Sequence, residues 1–425
     1  MIEERFDVNY KPSLDTVVKP EVSVRSILIK SDSIKNAKNK EPEKDTVPNS
    51  TYPLFPAKSR YVISLIMPFA ADSISWMYSS KIANLSNSLP SDDEAVEVPF
   101  SSSTCVEFYE GMKMALNDLS KTGFKADIHV YDYENADQFL KILKDTGLAE
   151  SDIIIGPLGS SGGNKISAYC KNHHIWHLYP FSPKLNAENN PWVLKLNPSM
   201  EKHWCGLMDY FNKKFTKTNF IYVHERSETD SFLNIALHGY VQEINKSRTD
   251  SCHFTDMVIK SGVAIPNVAE SYVKGYTNIV LANSYKPNLA DAYMRKLSES
   301  EVILVGMKQW FENESIDFSF ARELNFYFSE EFYTDKTDAG YKAMNKWYNE
   351  YYHVDISKRV LYGYDCTKWL GSLLMSKGLN FEAQLNIPYE GFVSVFHLNN
   401  KNGIYENNYV PVFKLDDMKI VKAEE

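Results

Sequence analysis

The chain has 425 residues, with 55 acidic side chains against 46 Lys and Arg and a formal net charge of -9. At roughly 150 residues per domain this length implies two compact domains with some chain left over, and the acidic balance argues against nucleic acid, whose phosphates need clustered Lys and Arg. No run reaches the roughly 20 apolar residues of a membrane span, and Cys105, Cys170, Cys205, Cys252 and Cys366 lie far apart with no C-x-x-C, which supports neither a disulfide scaffold nor a zinc ribbon.

Residues 1–57 are rich in Lys, Glu, Asp, Ser and Pro with little periodicity and read as a disordered linker or tail. A docked β-arm over residues 22–29 is the alternative. MIEERFDVNY lacks a basic start followed by an apolar stretch and is no signal peptide, so the chain is either cytoplasmic or part of a longer precursor.

The folded part opens with the strand YVISLI, which runs into the loop MPFAAD, followed by a long polar insertion over residues 73–104. Val106, Tyr109, Met112, Leu116 and Leu119 then recur at helical spacing, stopped by Gly123. Strand DIHVYD, a helix over 136–148, strand DIIIG, a helix over 164–172, strand IWHLYP and the extended run WVLKLN follow. After Pro198 the alternation starts again: a helix over 204–215, strand FIYVH, a helix over 231–244, strand HFTDMVI, a helix over 268–274, strand NIVLA, a helix over 289–297 and strand VILVG. NFYFSEEFYTD reads as an extended connection, helices over 339–352 and 360–375 come next, and the C-terminal segment reads as a hairpin turning at Asn-Lys-Asn-Gly. Alternating strands and helices predict an α/β architecture of two parallel sheets, each covered on both faces.

Ligands of open parallel sheets sit beyond the carboxyl ends of the strands. Those ends are Pro68 to residue 72, residues 156–161, Phe181 and Ser182, Glu225 and Arg226, Asn283 and Ser284, and Met307 to Gln309. The turn Gly159-Ser160-Ser161-Gly162-Gly163 opens a helix, so its free N–H groups and the helix dipole favour an anion such as a carboxylate. The bland alternative is that Ser160 or Ser161 only caps the helix. The same turn matches the G-x-S-x-G elbow with Ser161 as nucleophile, yet Gly156-Pro157-Leu158 intervenes between strand and motif and no oxyanion segment precedes it. Lys165 makes no P-loop, because Asn164 and Ile166 stand where Gly and Ser or Thr are needed. His173, His174 and His177 lack a completing carboxylate or cysteine, which leaves a metal site unsupported. Glu225 and Arg226 are placed to meet an ammonium and a carboxylate, or to form a surface ion pair. Phe326, Tyr327, Phe328, Phe332 and Tyr333 line a cleft or form core.

With these features in place, YVISLIMPF, FYEGMKMALNDL, HVYDYEN, SDIIIGPLGSS, HLYPFSP, VLKLNPS and YGYDCTKWL resemble a type I periplasmic binding protein of the leucine/isoleucine/valine-binding kind. VGMKQW with NFYFSEEFY places the resemblance near the subgroup linked to LysM peptidoglycan-binding modules, of which none is present in this chain. The resemblance implies a two-lobed fold with three crossovers: residues 58–197 and 328–385 in lobe one, 198–327 and 386–425 in lobe two. It implies a non-enzymatic, ABC-transporter-like solute-binding or receptor protein of the periplasm or cell envelope, with no cofactor and no catalytic or metal residues. The ligand implied is small, polar and carboxylate-bearing, amino-acid-, peptide- or wall-fragment-like, and an envelope protein is a possible partner. Pro68, Gly159, Ser160, Ser161, Gly162, Phe181 and Ser182 would hold it on lobe one. Glu225, Arg226, Thr229, Asn283, Ser284, Lys308 and Gln309 would contribute from lobe two. Lys308 stands where amino-acid binders often place an acid, so a ligand ammonium would meet a like charge there. The alternatives are a scaffold that keeps the fold without a small ligand and, behind it, a serine hydrolase.

Overall fold

The computed structural model describes residues 2–6, 53–75, 100–187, 189–225, 227–248, 250–259, 265–322 and 324–423. They divide into two units: Met1–Leu194 with Phe332–Tyr405, and Lys195–Glu331 with Glu406–Glu425. The chain therefore passes between them three times.

The first unit begins with β1 (Ile2–Phe6) and β2 (Tyr61–Met67), then α1 (Phe100–Ser120), β3 (Ala126–Asp132), α2 (Ala136–Ile142), β4 (Ile153–Ile155), α3 (Ser160–His173), β5 (Trp176–Tyr179) and β6 (Val193–Lys195). The second contains α4 (Met200–Lys214), β7 (Thr218–Glu225), α5 (Glu228–Ser247), β8 (His253–Ile259), β9 (Thr277–Asn283), α6 (Pro287–Leu297), β10 (Ile303–Val305) and β11 (Asn325–Ser329). The chain returns through α7 (Ala339–Tyr352), α8 (Lys358–Lys377), β12 (Tyr389–Glu390), β13 (Val395–Phe396), β14 (Leu398–Lys401) and β15 (Ile404–Asn407), and closes in the second unit with β16 (Val412–Asp416) and β17 (Lys419–Lys422).

The first sheet has the order β1-β3-β2-β4-β5-β6-β15-β14 and the second β17-β16-β11-β10-β9-β7-β8. β3, β2, β4 and β5 pair in parallel, as do β8, β7, β9, β10 and β11. Their apolar runs are continuous rather than alternating because both faces are covered: Leu65, Ile66, Ile154, Phe220 and Ile221 are all fully buried. In each unit the first parallel strand lies between the second and the third, so the strand order reverses there. This places a switch point between β2 and β4 and another between β7 and β9.

In the first unit α1 and α8 meet backbone to backbone. A Cβ on Gly111 would lie 1.8 Å from the Val360 oxygen and one on Gly363 2.0 Å from the Phe108 oxygen, so neither position admits a side chain. Met112 and Leu116 of the expected stripe are fully buried, but Val106 is exposed.

Several expectations change. Residues 386–405, expected in the second lobe, belong to the first unit, where β14 and β15 extend its sheet. Residues 195–197 and 328–331 fall in the second unit rather than the first. NFYFS is not a connection but the parallel strand β11, paired with β10. The segment expected as a helix over 268–274 is a single 3-10 turn, Val268–Ser271. Asn402 and Gly403 supply the expected turn with positive φ, and a second hairpin follows at Asp417 and Met418.

Within the stretch read as a tail, Ile2–Phe6 pairs antiparallel with β3 and Phe55 exchanges hydrogen bonds with the Asn380 side chain at 3.0 and 2.9 Å. Residues 7–52, including the possible arm over 22–29, and residues 76–99 of the insertion lie outside the described residues.

Candidate functional site

The loops at the switch point of the first unit differ in whether their backbone donors are already used. After β2, Pro68 is half-buried and its oxygen accepts from Ser102 at 3.4 Å. The helical turn that follows is capped from outside: Asp132, at the end of β3, accepts from the N–H groups of Ala70 and Ala71 at 3.0 and 2.9 Å. Glu134 accepts from Ser73 N and Oγ at 2.9 and 2.7 Å, which holds its carboxyl below the usual value. This terminus already holds its anions.

After β4 the opposite holds. α3 begins at Ser160 with Gly159 as its N-cap, so neither Ser160 nor Ser161 is the N-cap residue, and among the described residues no side chain caps this terminus. The first N–H groups of a helix have no partner within it. Ser161 and Gly159 are exposed, Ser160 and Gly162 half-buried. The glycine density has a packing cause as well. A Cβ on Gly162 would lie 2.8 Å from Pro157 Cγ, and one on Gly163 2.7 Å from the Tyr179 ring, whereas Gly159 faces open space.

The approach to this terminus is fixed from below. Gly156 has φ +95°, and a Cβ there would stand 2.4 Å from the Ile66 oxygen. Its own carbonyl lies 2.6 Å from His177 Nε2. A carbonyl only accepts, so Nε2 carries the proton, and burial pushes the ring down to about 4, keeping it neutral. His177 is therefore a structural clamp. His174 caps α3 with left-handed φ and stacks on Trp192, and His173 stacks on Tyr169. Among the described residues no group of three or more His, Cys, Asp or Glu is arranged for a metal.

After β5, Phe181 packs edge-on against Phe108 with ring centroids 4.8 Å apart, and Ser182 Oγ accepts from Lys184 N at 3.1 Å. For the elbow reading, Ser161 is the second residue of α3, and among the described residues no histidine hydrogen-bonds its hydroxyl.

At the switch point of the second unit most polar side chains are already partnered. Asn283 Nδ2 donates to Tyr222 Oη at 2.7 Å and to Asp230 Oδ1 at 2.9 Å, while Asp230 Oδ2 accepts from Ser227 Oγ at 2.6 Å. Glu225 pairs with Lys286, and Ser284 Oγ reaches Glu225 at 3.5 Å. The Ser284 carbonyl accepts from Trp310 Nε1 at 2.8 Å, tying the loop after β9 to the one after β10. Thr229 and Gln309 are exposed, and Arg226 lies outside the described residues.

Lys308 is paired within the unit: its Nζ is 3.0 Å from Glu330 Oε1, a carboxylate that is almost completely buried. Close by, Lys195 Nζ lies 3.0 Å from Glu406 Oε1, which also accepts from Ser199 N at 2.9 Å. Phe326, Tyr327 and Phe328 are buried strand residues and belong to the core, while the half-buried Phe332 meets the Tyr362 ring edge-on in the first unit.

Sequence reasoning overlooked Asp132, Trp310, Glu330, Lys195 and Glu406. Asp132 was accessible, being the terminal acid of the strand DIHVYD beside the switch point. The others depend on partners far away in sequence.

Neither a family model nor a curated protein matches the sequence. Solved structures do. A putative branched-chain amino acid ABC transporter protein from Rhodospirillum rubrum matches with a TM-score of 0.61 at 9% identity, over 86% of this chain and 100% of that one. The LpoA C-domain from Haemophilus influenzae, described as a regulator of PBP1A, matches with a TM-score of 0.54 at 14% identity, over 85% and 100%. An ABC transporter substrate-binding protein from Desulfitobacterium hafniense matches with a TM-score of 0.53 at 15% identity, over 86% and 100%. The chain has the type I periplasmic-binding-protein fold, as the motifs from YVISLIMPF to YGYDCTKWL imply.

Proposed function

We propose that the protein is a non-enzymatic ligand-binding protein whose ligand carries a carboxylate, taken by the start of α3. The observation that supports this is the contrast at the first switch point. One helical terminus is capped by Asp132 and Glu134, while the neighbouring one, Gly159 to Gly162, has no side-chain cap among the described residues and two serine hydroxyls beside it. Unpaired N–H groups at a positive dipole end bind an anion without a cationic side chain. Ser182, Phe181 and Pro68 would complete this wall. Placement in the cell envelope follows from the same reading. Among the described residues no helix is long and apolar enough to cross a membrane.

Calorimetry with amino acids, short peptides and wall fragments tests the reading, using the wild type and Ser161→Asp. The substitution supplies an internal anion at the helix start. It is expected to stabilise the fold by about 0.3–1 kcal/mol and to weaken carboxylate binding at least about tenfold. Carboxylate binding undiminished in Ser161→Asp removes the assignment to α3.

The second reading is a scaffold or protein-interaction module that keeps the fold without a small ligand. It is favoured by the second unit, where Asn283, Ser284, Glu225 and Lys308 already have protein partners. It predicts flat calorimetry and unchanged melting with every small carboxylate, and saturable binding of any one of them eliminates it.

A further inference from the structure

Resting on the assignment of a ligand carboxylate to the start of α3, we infer that Tyr179 sets the specificity of that site: its phenol donates to one oxygen of the carboxylate, so the site takes carboxylates and refuses the matching carboxamides. The side chain stands at the end of β5, fully buried, and among the described residues its Oη has no hydrogen-bond partner. A Cβ added to Gly163, the fourth residue of α3, would lie 2.7 Å from Tyr179 Cε2 and 3.0 Å from Cζ, the carbon that carries the hydroxyl. The hydroxyl therefore sits against the first turn of a helix whose start has no side-chain cap among the described residues. Gly159, at that start, meets nothing within 4 Å, which leaves the terminus approachable.

Buried polar groups in folded proteins nearly always have a partner, and one without costs stability. Burial raises the Tyr179 pKa, and Ser182, which stands beside the phenol without hydrogen-bond geometry, opposes that shift; the net direction is up. The phenol thus keeps its proton at neutral pH and can donate it. The N–H groups of Ser160, Ser161 and Gly162, at the same terminus, only donate. A single group that joins them to the phenol must accept on both sides. Both oxygens of a carboxylate do so, whereas a carboxamide offers one oxygen and an NH2 that only donates. Held between the helix N–H groups and the phenol, that NH2 leaves a donor unpaired, and unpaired buried groups are what make a hydrogen-bonding site selective. Away from water the bond from the phenol is also stronger than at the surface.

Calorimetry on the full chain with two matched pairs, leucine against leucinamide and alanylalanine against its amide, tests this in the wild type, Tyr179→Phe and Ser161→Asp, together with thermal melting without ligand. In the wild type the carboxylate of a pair is expected to bind at least about thirtyfold more tightly than its amide. Tyr179→Phe is expected to lose at least about tenfold in carboxylate affinity, the worth of one hydrogen bond to a charged group, and little in amide affinity. Without ligand it is expected to melt at or above the wild-type temperature, since no bond is lost. Undiminished carboxylate affinity in Tyr179→Phe beside a loss in Ser161→Asp overturns this inference alone. Undiminished affinity in Ser161→Asp, or no binding of either carboxylate by the wild type, overturns the assignment to α3 and this inference with it. A Tyr179→Phe chain that fails to fold, or melts more than about 2 °C below the wild type, shows that the hydroxyl is already bonded by the chain or by water, and overturns the inference equally.

Discussion

His177 Nε2 lies 2.6 Å from the Gly156 carbonyl, joining the middle of β5 to the first residue after β4. The bond spans two neighbouring parallel strands and holds the peptide that leads into the uncapped start of α3. His177→Ala leaves that acceptor without its donor and opens a cavity in a fully buried position. The expected loss is about 3 kcal/mol in urea unfolding at neutral pH. A loss below about 1 kcal/mol would show that the contact carries little.

Gly156 and Gly159 stand three positions apart and are expected to respond oppositely to the same change. Gly156→Ala forces a side chain into φ +95° and against the Ile66 oxygen at 2.4 Å. A destabilisation of about 2–4 kcal/mol is expected. Gly159→Ala meets nothing within 4 Å and is expected to stay within about 0.5 kcal/mol of wild type. Paired denaturation curves decide, and equal losses would contradict the geometry of the turn.

These two glycines also mark what could be read from the chain alone. Parallel strands buried on both faces are continuous apolar runs, so YVISLI, DIIIG and NIVLA were legible as strands, and the polar residues after them as strand-end loops. β11 was misread because NFYFS is followed by no immediate helix. β14 and β15 were assigned to the wrong unit because alternation identifies a hairpin without naming the sheet it joins. The state of the site was less legible still. Asn283 and Asp230 are 53 residues apart, and Lys195 and Glu406 are 211 apart, so no local pattern shows that each is already paired. The glycines of GSSGG were read for ligand access, yet Gly162 and Gly163 answer to Pro157 and Tyr179.

Asp365 and His177 are expected to oppose each other in the pH dependence of the first unit. Asp365 is fully buried on α8, accepts from Phe392 N and Val393 N at 2.9 Å each, and burial pushes its carboxyl up to about 7 against those donors. A raised acid gives stability that is present below its unfolded value near 3.8 and is lost as pH rises toward 7. His177, lowered to about 4, gives stability present above 6.5 and lost as pH falls toward 4. Between about pH 4 and pH 6.5 the two slopes largely cancel. Asp365→Asn removes one of them, and the variant is expected to lose about 3 kcal/mol more than wild type on acidification across that window. A parallel pH profile in the two proteins would refute the opposition.

Lys195 and Glu406 test whether charge or volume holds the strands by which the chain enters and re-enters the second unit. The pair is 6% and 11% exposed, and burial of Glu406 is outweighed by Lys195 and the Ser199 N–H, which keep its carboxyl below the usual value. Removing one partner leaves an uncompensated buried charge, so Lys195→Ala is expected to cost about 3–5 kcal/mol. Replacing both with Lys195→Met and Glu406→Leu returns apolar volume without stranding a charge, and is expected to recover most of that loss. The coupling read from the double-mutant cycle is therefore large and favourable, while the double variant itself is close to wild type in stability. Such a result would place the pair's role in fixing the course of β6 and β15 rather than in adding net stability. A double variant as unstable as Lys195→Ala would mean that the electrostatic attraction is itself what holds these strands.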